Sequence, residues 1–176
     1  MKNIRSRLGF FAVAALPVLA QAHPGHDAGI SYASGALHPL GGFDHLLALL
    51  AVGLLAARMG GRALLAIPAA FLALLAVGIA LGFEGVQLDF VEPAIMASIL
   101  VCGGLAVLPP RHLPVATAAL AALFAIFHGN AHGTEVVAGV GRVPYAAGLM
   151  TSSALVIGIT AFVARSATWT VSARRH

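Results

Sequence analysis

Long apolar runs, separated by short polar breaks, make up most of this chain and predict helices that cross a membrane. Each run after residue 37 has roughly the 20 residues that span a bilayer as an α-helix. We place the runs at 38–57, 63–82, 91–108, 114–133 and 144–165. Proline lies near the first turn of four of them, where its missing N–H does no harm. The pattern predicts an all-α fold, a polytopic transmembrane helix bundle of about five spans.

The first 22 residues have the three regions of a cleavable secretory signal peptide. A positively charged start precedes an apolar run over 8–19, and a small-residue cleavage site ends at Ala22. An uncleaved first helix is the alternative, but this apolar run is short for a full span. We therefore divide the chain into a signal peptide at 1–22, a periplasmic N-terminal tail at 23–37, the five-helix bundle at 38–165 and a cytoplasmic basic tail at 166–176.

The positions of arginine predict the direction of the bundle. With the mature N-terminus outside, only Arg142 among the arginines after the signal peptide falls outside. The cytoplasmic side then receives Arg58, Arg62, Arg111, Arg165, Arg174 and Arg175. This is the bias expected of cytoplasmic loops. It predicts a multi-pass protein of the bacterial inner (cytoplasmic) membrane, with a periplasmic N-terminus and a cytoplasmic C-terminus.

Composition agrees with a membrane protein and excludes other classes. Hydrophobic residues make up 60% of the 176 residues and charged residues only 9%, whereas a soluble domain has about 25% charged residues. The net charge of +4 does not indicate nucleic-acid binding, because the basic residues are scattered or lie at segment ends. The single cysteine, Cys102, has no partner for an intrachain disulfide. We predict that the protein is surrounded by the lipid bilayer. The sequence does not decide between a monomer and a homo-oligomer.

Two histidine clusters inside these apolar runs carry the candidate chemistry. Ionisable groups cost several kcal/mol in hydrocarbon, so they usually face a protein interior or a watery path. Imidazole with a nearby carboxylate is a ligand set for divalent transition metals. Asp44 or Glu135 can instead orient a histidine from outside the ligand shell. The candidate metal ligands are His38, Asp44, His45, His128, His132 and Glu135.

The predicted topology places both clusters in the outer half of the membrane. At 1.5 Å per residue, His45 lies about 10 Å below the outer end of the first span, and His128 about 7 Å below that of the fourth. His128, His132 and Glu135 share one helix face, and His38 and His45, seven residues apart, are expected to be nearly cofacial. Each cluster also contains two glycines, Gly41 and Gly42 in the first and Gly129 and Gly133 in the second. We expect these glycines to weaken both helices. We predict one site between spans one and four.

Four further residues are weaker candidates for the same metal ion. Glu92, near the outer start of the third span, either adds a ligand or is a helix N-terminal acid favoured by the helix dipole. His23, His26 and Asp27 follow the signal peptide. They either capture metal at the mouth of the site, raising its local concentration, or form a polar tail.

Several alternatives remain open from the residues alone. The histidines and carboxylates can pair only to stabilise the bundle. An intramembrane metalloenzyme is a second alternative, but the H-x-x-x-H spacing has Gly129 where a zinc protease has its glutamate. A haem-binding electron-transfer subunit with His45 and His128 as axial ligands is a third, and a metal sensor is a fourth. We predict no enzyme and no resident cofactor.

At these residues the chain resembles the HupE/UreJ family of nickel and cobalt permeases. The resemblance rests on H-x5-D-H, from His38 to His45, and on F-H-G-x-A-H-G-x-E, from Phe127 to Glu135. The HPGHD segment after the signal peptide is also common in that family. A histidine often expected in the fifth span is absent, and the run there reads Leu155-Val156-Ile157-Gly158.

The resemblance implies transport of Ni²⁺, or Co²⁺, from the periplasm to the cytoplasm. It implies that the motif residues named above are the ligands. It also implies a passive or gradient-driven carrier, in keeping with the absence of a phosphate-binding G-x-x-x-x-G-K-[ST] loop from the sequence. Recipient nickel enzymes or metallochaperones are partners implied by the family alone.

Overall fold

The computed structural model describes residues 30–107, 115–136 and 141–173, and these residues form six helices and no strand. The helices are α1 (Tyr32–Gly41), α2 (Phe43–Met59), α3 (Ala63–Phe83), α4 (Val91–Val107), α5 (Val115–Glu135) and α6 (Arg142–Ala173). The all-α class is confirmed. The predicted signal peptide lies outside the described residues, as do His23, His26 and Asp27 of the predicted tail. Residues 32–37, which the prediction assigned to that tail, lie in α1.

Two of the predicted spans are single helices long and apolar enough to cross a membrane. These are Ala63–Phe83 and Arg142–Ala167, and a third candidate arises if the bent pair α1 and α2 is one span. The apolar stretch of α4 is shorter, at Val91–Ala106. The second half of α5 carries the polar histidine motif, which lowers its hydropathy. The described helices therefore differ from the five spans of similar length that the pattern predicted.

The prediction that 38–57 crosses the membrane as one helix is wrong, because the chain bends by 83° between α1 and α2. Gly42 takes an extended conformation there, with φ −92° and ψ 111°. A capping box at Ser31 begins α1, satisfying two of its first N–H groups. His38 and His45 consequently lie on different helices, so the expectation that they share one helix face is also wrong.

Helices α3 and α5 form the most extensive helix pair among the described residues. Gly78 and Gly82 of α3 face Gly129 and Gly133 of α5, and a Cβ on any of the four would meet backbone atoms of the other helix. Small residues allow such close approach in membrane bundles. The expectation that Gly129 and Gly133 weaken their helix is wrong, since α5 runs unbroken through both.

Helix α6 holds the α1–α2 corner against the rest of the bundle. It packs on both α1 and α2, and a Cβ on Gly35 of α1 would meet the backbone of Tyr145 in α6. Leu149 and Ile157 of α6 are fully buried in the apolar core, together with Leu55 of α2. This contact fixes the end of α1, and with it His38, beside the last turns of α5.

Arg142, the single arginine predicted on the outer side, binds the ends of two helices. Its guanidinium donates to the carbonyl of Phe83 at 2.9 Å and to that of Val136 at 3.5 Å. These carbonyls lie at the C-terminal ends of α3 and α5, where the helix dipole favours a cation. The same guanidinium lies 5.1 Å from the centre of the Phe83 ring. Local helix capping therefore accounts for the exception to the arginine bias.

Candidate metal centre

Four imidazoles from three helices converge at the α1–α2 corner. The ring centre of His132 lies 4.7 Å from that of His38 and 4.5 Å from that of His45. His45 and His128 are 5.3 Å apart, and His38 and His45 are 6.2 Å apart. The bend at Gly42 folds His38 back towards α5, so the first motif reaches the cluster from two helices.

The outer part of the cluster is a triad of His38, His132 and Glu135. Oε2 of Glu135 lies 3.6 Å from Nε2 of His38 and 4.0 Å from Nδ1 of His132. One donor atom from each residue lies within 4.8 Å of the other two. Two donors on one tetrahedral ion, with bonds of about 2.1 Å, are about 3.4 Å apart. Small shifts would therefore bring all three onto a single ion.

The inner part of the cluster is a small cavity lined by residues of α1, α2, α3, α5 and α6. Its lining consists of Pro39, His45, Leu49, Phe71, Leu75, His128, His132 and Ser153. The cavity volume is about 10 Å³, close to the space that one water molecule needs. An ion that has lost its hydration shell fits this space. A haem does not, so the cavity disfavours the haem-binding alternative.

Burial increases from the triad to the cavity. The side chains of Glu135 and His38 are 38% and 32% exposed, whereas that of His132 is 4% exposed. His128 is buried as well, at 2%. The cluster therefore has an open, charged end and a closed end lined by imidazole and apolar side chains. His132 belongs to both parts.

Two buried ring nitrogens of the cluster have no hydrogen-bond partner. These atoms are Nε2 of His45 and Nδ1 of His132. Leaving a buried polar atom unsatisfied costs about 1–3 kcal/mol, and such atoms in native proteins call for an explanation. A lone pair directed at a metal ion is the explanation that best fits imidazole.

Asp44 determines which ring nitrogen of His45 carries the proton. Its Oδ1 accepts a hydrogen bond from Nδ1 of His45 at 3.0 Å. With the ring proton on Nδ1, the lone pair of neutral His45 lies on the buried Nε2. A carboxylate in this position orients a metal-binding histidine and raises its basicity. This geometry supports an orienting role for Asp44, and direct ligation by Asp44 stays a prediction.

The remaining sequence candidates lie elsewhere or outside the described residues. Glu92 is exposed in the first turn of α4 and belongs neither to the triad nor to the cavity lining. Its position fits a helix N-terminal acid.

The sequence reasoning missed three polar residues close to the cluster. Ser98 of α4 contacts His128 at 2.9 Å, Ser153 of α6 lines the cavity, and the ring of Tyr145 lies 5.9 Å from that of His38. Their only sequence signal was a hydroxyl within an apolar run. Such hydroxyls are common in membrane helices, so the signal did not single them out.

The fold and the cluster together define a helical membrane protein with an internal histidine site. Comparison with known proteins gives the family. The family model described as HupE / UreJ protein matches residues 11–175. The chain is also 37% identical over 150 residues to Protein HupE of Rhizobium leguminosarum bv. viciae, covering 84% of this chain and 78% of that protein. No solved structure matches.

The chain therefore belongs to the HupE/UreJ family, and the resemblance seen in its motifs is confirmed. The family consists of permease-type membrane proteins associated with nickel and cobalt uptake. The prediction that the chain is not an enzyme is likewise confirmed.

Proposed function

We propose that this protein carries Ni²⁺, or Co²⁺, across the bacterial inner membrane into the cytoplasm through the histidine cluster. The observation that carries the proposal is the pair of buried, unsatisfied ring nitrogens on His45 and His132. The two histidines lie on separate helices, and their ring centres are 4.5 Å apart. Membership of a family associated with nickel and cobalt uptake supports the proposal.

The donor atoms favour a late first-row metal over a hard cation. Ca²⁺ and Mg²⁺ prefer oxygen ligands, whereas four imidazoles and one or two carboxylates suit nickel, cobalt and zinc. At the same ligands Ni²⁺ binds more tightly than Co²⁺. We therefore expect Ni²⁺ to compete with Co²⁺ for uptake and to be released more slowly.

The gradient of burial suggests the order in which residues bind the ion. Glu135 and His38, at the open end, take the ion from water. His132 belongs to both triad and cavity and transfers it to His45 and His128. The cavity has room for about one water molecule, so the ion loses most of its hydration shell there. Transport requires ligands strong enough to replace that water and weak enough to release the ion.

The proposed direction is from the periplasm to the cytoplasm. It rests on the arginine bias, which puts the end of α5 that carries Glu135 on the outer side. The tail with His23, His26 and Asp27 would raise the local metal concentration at that side. The ion's own gradient, or the membrane potential acting on its charge, would drive inward movement. Nickel enzymes or metallochaperones would receive the ion.

Uptake into liposomes tests the proposal. Purified full-length protein is reconstituted, and uptake of Ni²⁺ is followed with and without competing Co²⁺, Zn²⁺ and Fe²⁺. His45→Ala and His128→Ala should each abolish uptake while leaving membrane insertion unchanged. His112→Ala changes a histidine that follows Arg111, in the loop that the arginine bias places on the cytoplasmic side, and should retain wild-type uptake. Full uptake in both cluster variants would overturn the proposal.

A further inference from the structure

Ser98 joins helix α4 to the closed end of the histidine cluster. Ser98 is 2% exposed, as is His128. The Ser98 hydroxyl lies 2.6 Å from the carbonyl oxygen of Ile95, one turn earlier in α4. It also lies 2.9 Å from Nε2 of His128 in α5. Both contacts are short, and both are buried.

The single proton of the Ser98 hydroxyl determines how the two contacts are arranged. The carbonyl oxygen of Ile95 can only accept, so the hydroxyl donates its proton there. The second contact then needs a donor on the imidazole, which is the N–H at Nε2 of His128. Neutral imidazole carries a proton on one nitrogen only. The lone pair of neutral His128 therefore lies on Nδ1.

We propose that Ser98 is a positioning residue that holds His128 in its Nε2–H tautomer and so selects Nδ1 as the nitrogen that binds the transported ion. This inference rests on the proposed transport function. Ser98 thus orients His128 as Asp44 orients His45. The difference is that Ser98 is neutral, whereas Asp44 is a carboxylate. A carboxylate raises the basicity of its histidine, and a hydroxyl does so less. His128 is thereby the weaker donor of the two, which favours release of the ion from the closed end.

Nitrogen NMR of the metal-free protein tests the tautomer directly. The full chain is labelled with ¹⁵N-histidine, and the His128 signals are assigned by their loss in His128→Ala. Wild-type protein should show a protonated Nε2 and an unprotonated Nδ1. Ser98→Ala should give a mixture of both tautomers. A wild-type His128 with its proton on Nδ1, or an unchanged tautomer in Ser98→Ala, would overturn the inference.

Ser152 offers a matched control for the loss of a buried hydroxyl. It is 8% exposed and donates to the carbonyl of Leu149, three residues earlier in its own helix. Ser152→Ala therefore removes the same kind of backbone hydrogen bond at a residue that does not line the cavity. It should leave the His128 tautomer and nickel binding at wild-type values, and a loss equal to that of Ser98→Ala would overturn the inference.

Nickel binding and uptake supply the second readout. Ser98→Ala should bind Ni²⁺ about 10- to 100-fold more weakly, the usual effect of removing such a partner, and Ser98→Thr should restore binding. Normal uptake in His45→Ala and His128→Ala would defeat the transport proposal whatever the tautomer. Loss of uptake in those variants, with wild-type nickel binding in Ser98→Ala, would defeat the Ser98 inference alone.

Discussion

The two histidine motifs contain similar residues but have different backbones. Each has two histidines, an acidic residue and two glycines within nine positions. In the first motif the chain turns by 83° at Gly42 and divides the histidines between two helices. In the second motif α5 continues unbroken through Gly129 and Gly133.

The neighbours of the glycines explain this difference. A Cβ added at Gly41 would meet open space, and one added at Gly42 would meet only side-chain atoms of Asp44 and His45, whereas one added at Gly129 or Gly133 would meet the backbone of α3. Packing against α3 thus fixes the second motif as a rigid platform. The first motif lies against this platform at the α1–α2 corner, which packs on α6. We expect movement at this corner to change the distances between imidazoles while the α3–α5 pair stays intact.

The largest expected effect is on the free energy of unfolding, when a glycine is replaced by alanine in each motif. Gly129→Ala forces a Cβ against the backbone of α3 and should lower the free energy of unfolding by about 3 kcal/mol, the upper end of overpacking costs. Gly41→Ala meets open space and should change it by less than about 1 kcal/mol. Thermal unfolding in detergent measures both. Equal losses of stability in the two variants would show that the two glycines do not differ in how closely they pack.

The next largest effect is expected at Asp44, because it orients His45, whose Nε2 is one of the two buried, unsatisfied ring nitrogens. Asp44→Asn removes the charge beside Nδ1 of His45 and should lower the maximal Ni²⁺ uptake rate by about 10- to 100-fold. Asp44→Glu keeps the charge and should retain more uptake than Asp44→Asn. Wild-type uptake in Asp44→Asn would show that the hydrogen bond to His45 has no part in transport.

A smaller effect is expected at the open end. Glu135→Gln should raise the KM for Ni²⁺ severalfold with little change in the maximal rate, because an exposed carboxylate attracts the cation before it is dehydrated. The difference from wild type should shrink at high ionic strength, since salt screens exposed charges. A lower maximal rate at unchanged KM would place Glu135 in a later step.

A separate effect, on stability alone, concerns the connection between α3 and α4, which Asn130 of the platform holds. Its amide oxygen accepts from the N–H of Leu88 at 3.0 Å, and its amide nitrogen donates to the carbonyl of Val86 at 2.7 Å. Asn130→Ala should cost about 1–2 kcal/mol of stability. Thr134→Ala, which loses hydrogen bonds only to its own helix, should cost less. Equal melting temperatures of the two variants would contradict this role.

Local spacing explains what could be predicted from the sequence. The i, i+4 relation of His128 and His132 needs only a helix, and hydropathy with helix rise placed both motifs at one depth. The class of fold followed from the apolar runs in the same way. Each of these inferences depends on residues close together in the chain.

Contacts between distant parts of the chain explain what could not be predicted. The bend at Gly42 rather than at Gly129 depends on which glycines face another helix, and both motifs look equally weak in sequence. Ser98 lies 30 residues from His128, and no periodicity connects them. The division of the cluster into an open triad and a closed cavity also depends on the unpredicted bend.

X-ray absorption at the nickel edge of the Ni²⁺-loaded full chain tests whether one ion binds residues from the corner and the platform together. We expect a spectrum with several imidazole ligands, and fewer of them in both His45→Ala and His128→Ala. A spectrum with a full imidazole count in either variant would show that the two motifs do not share one ion.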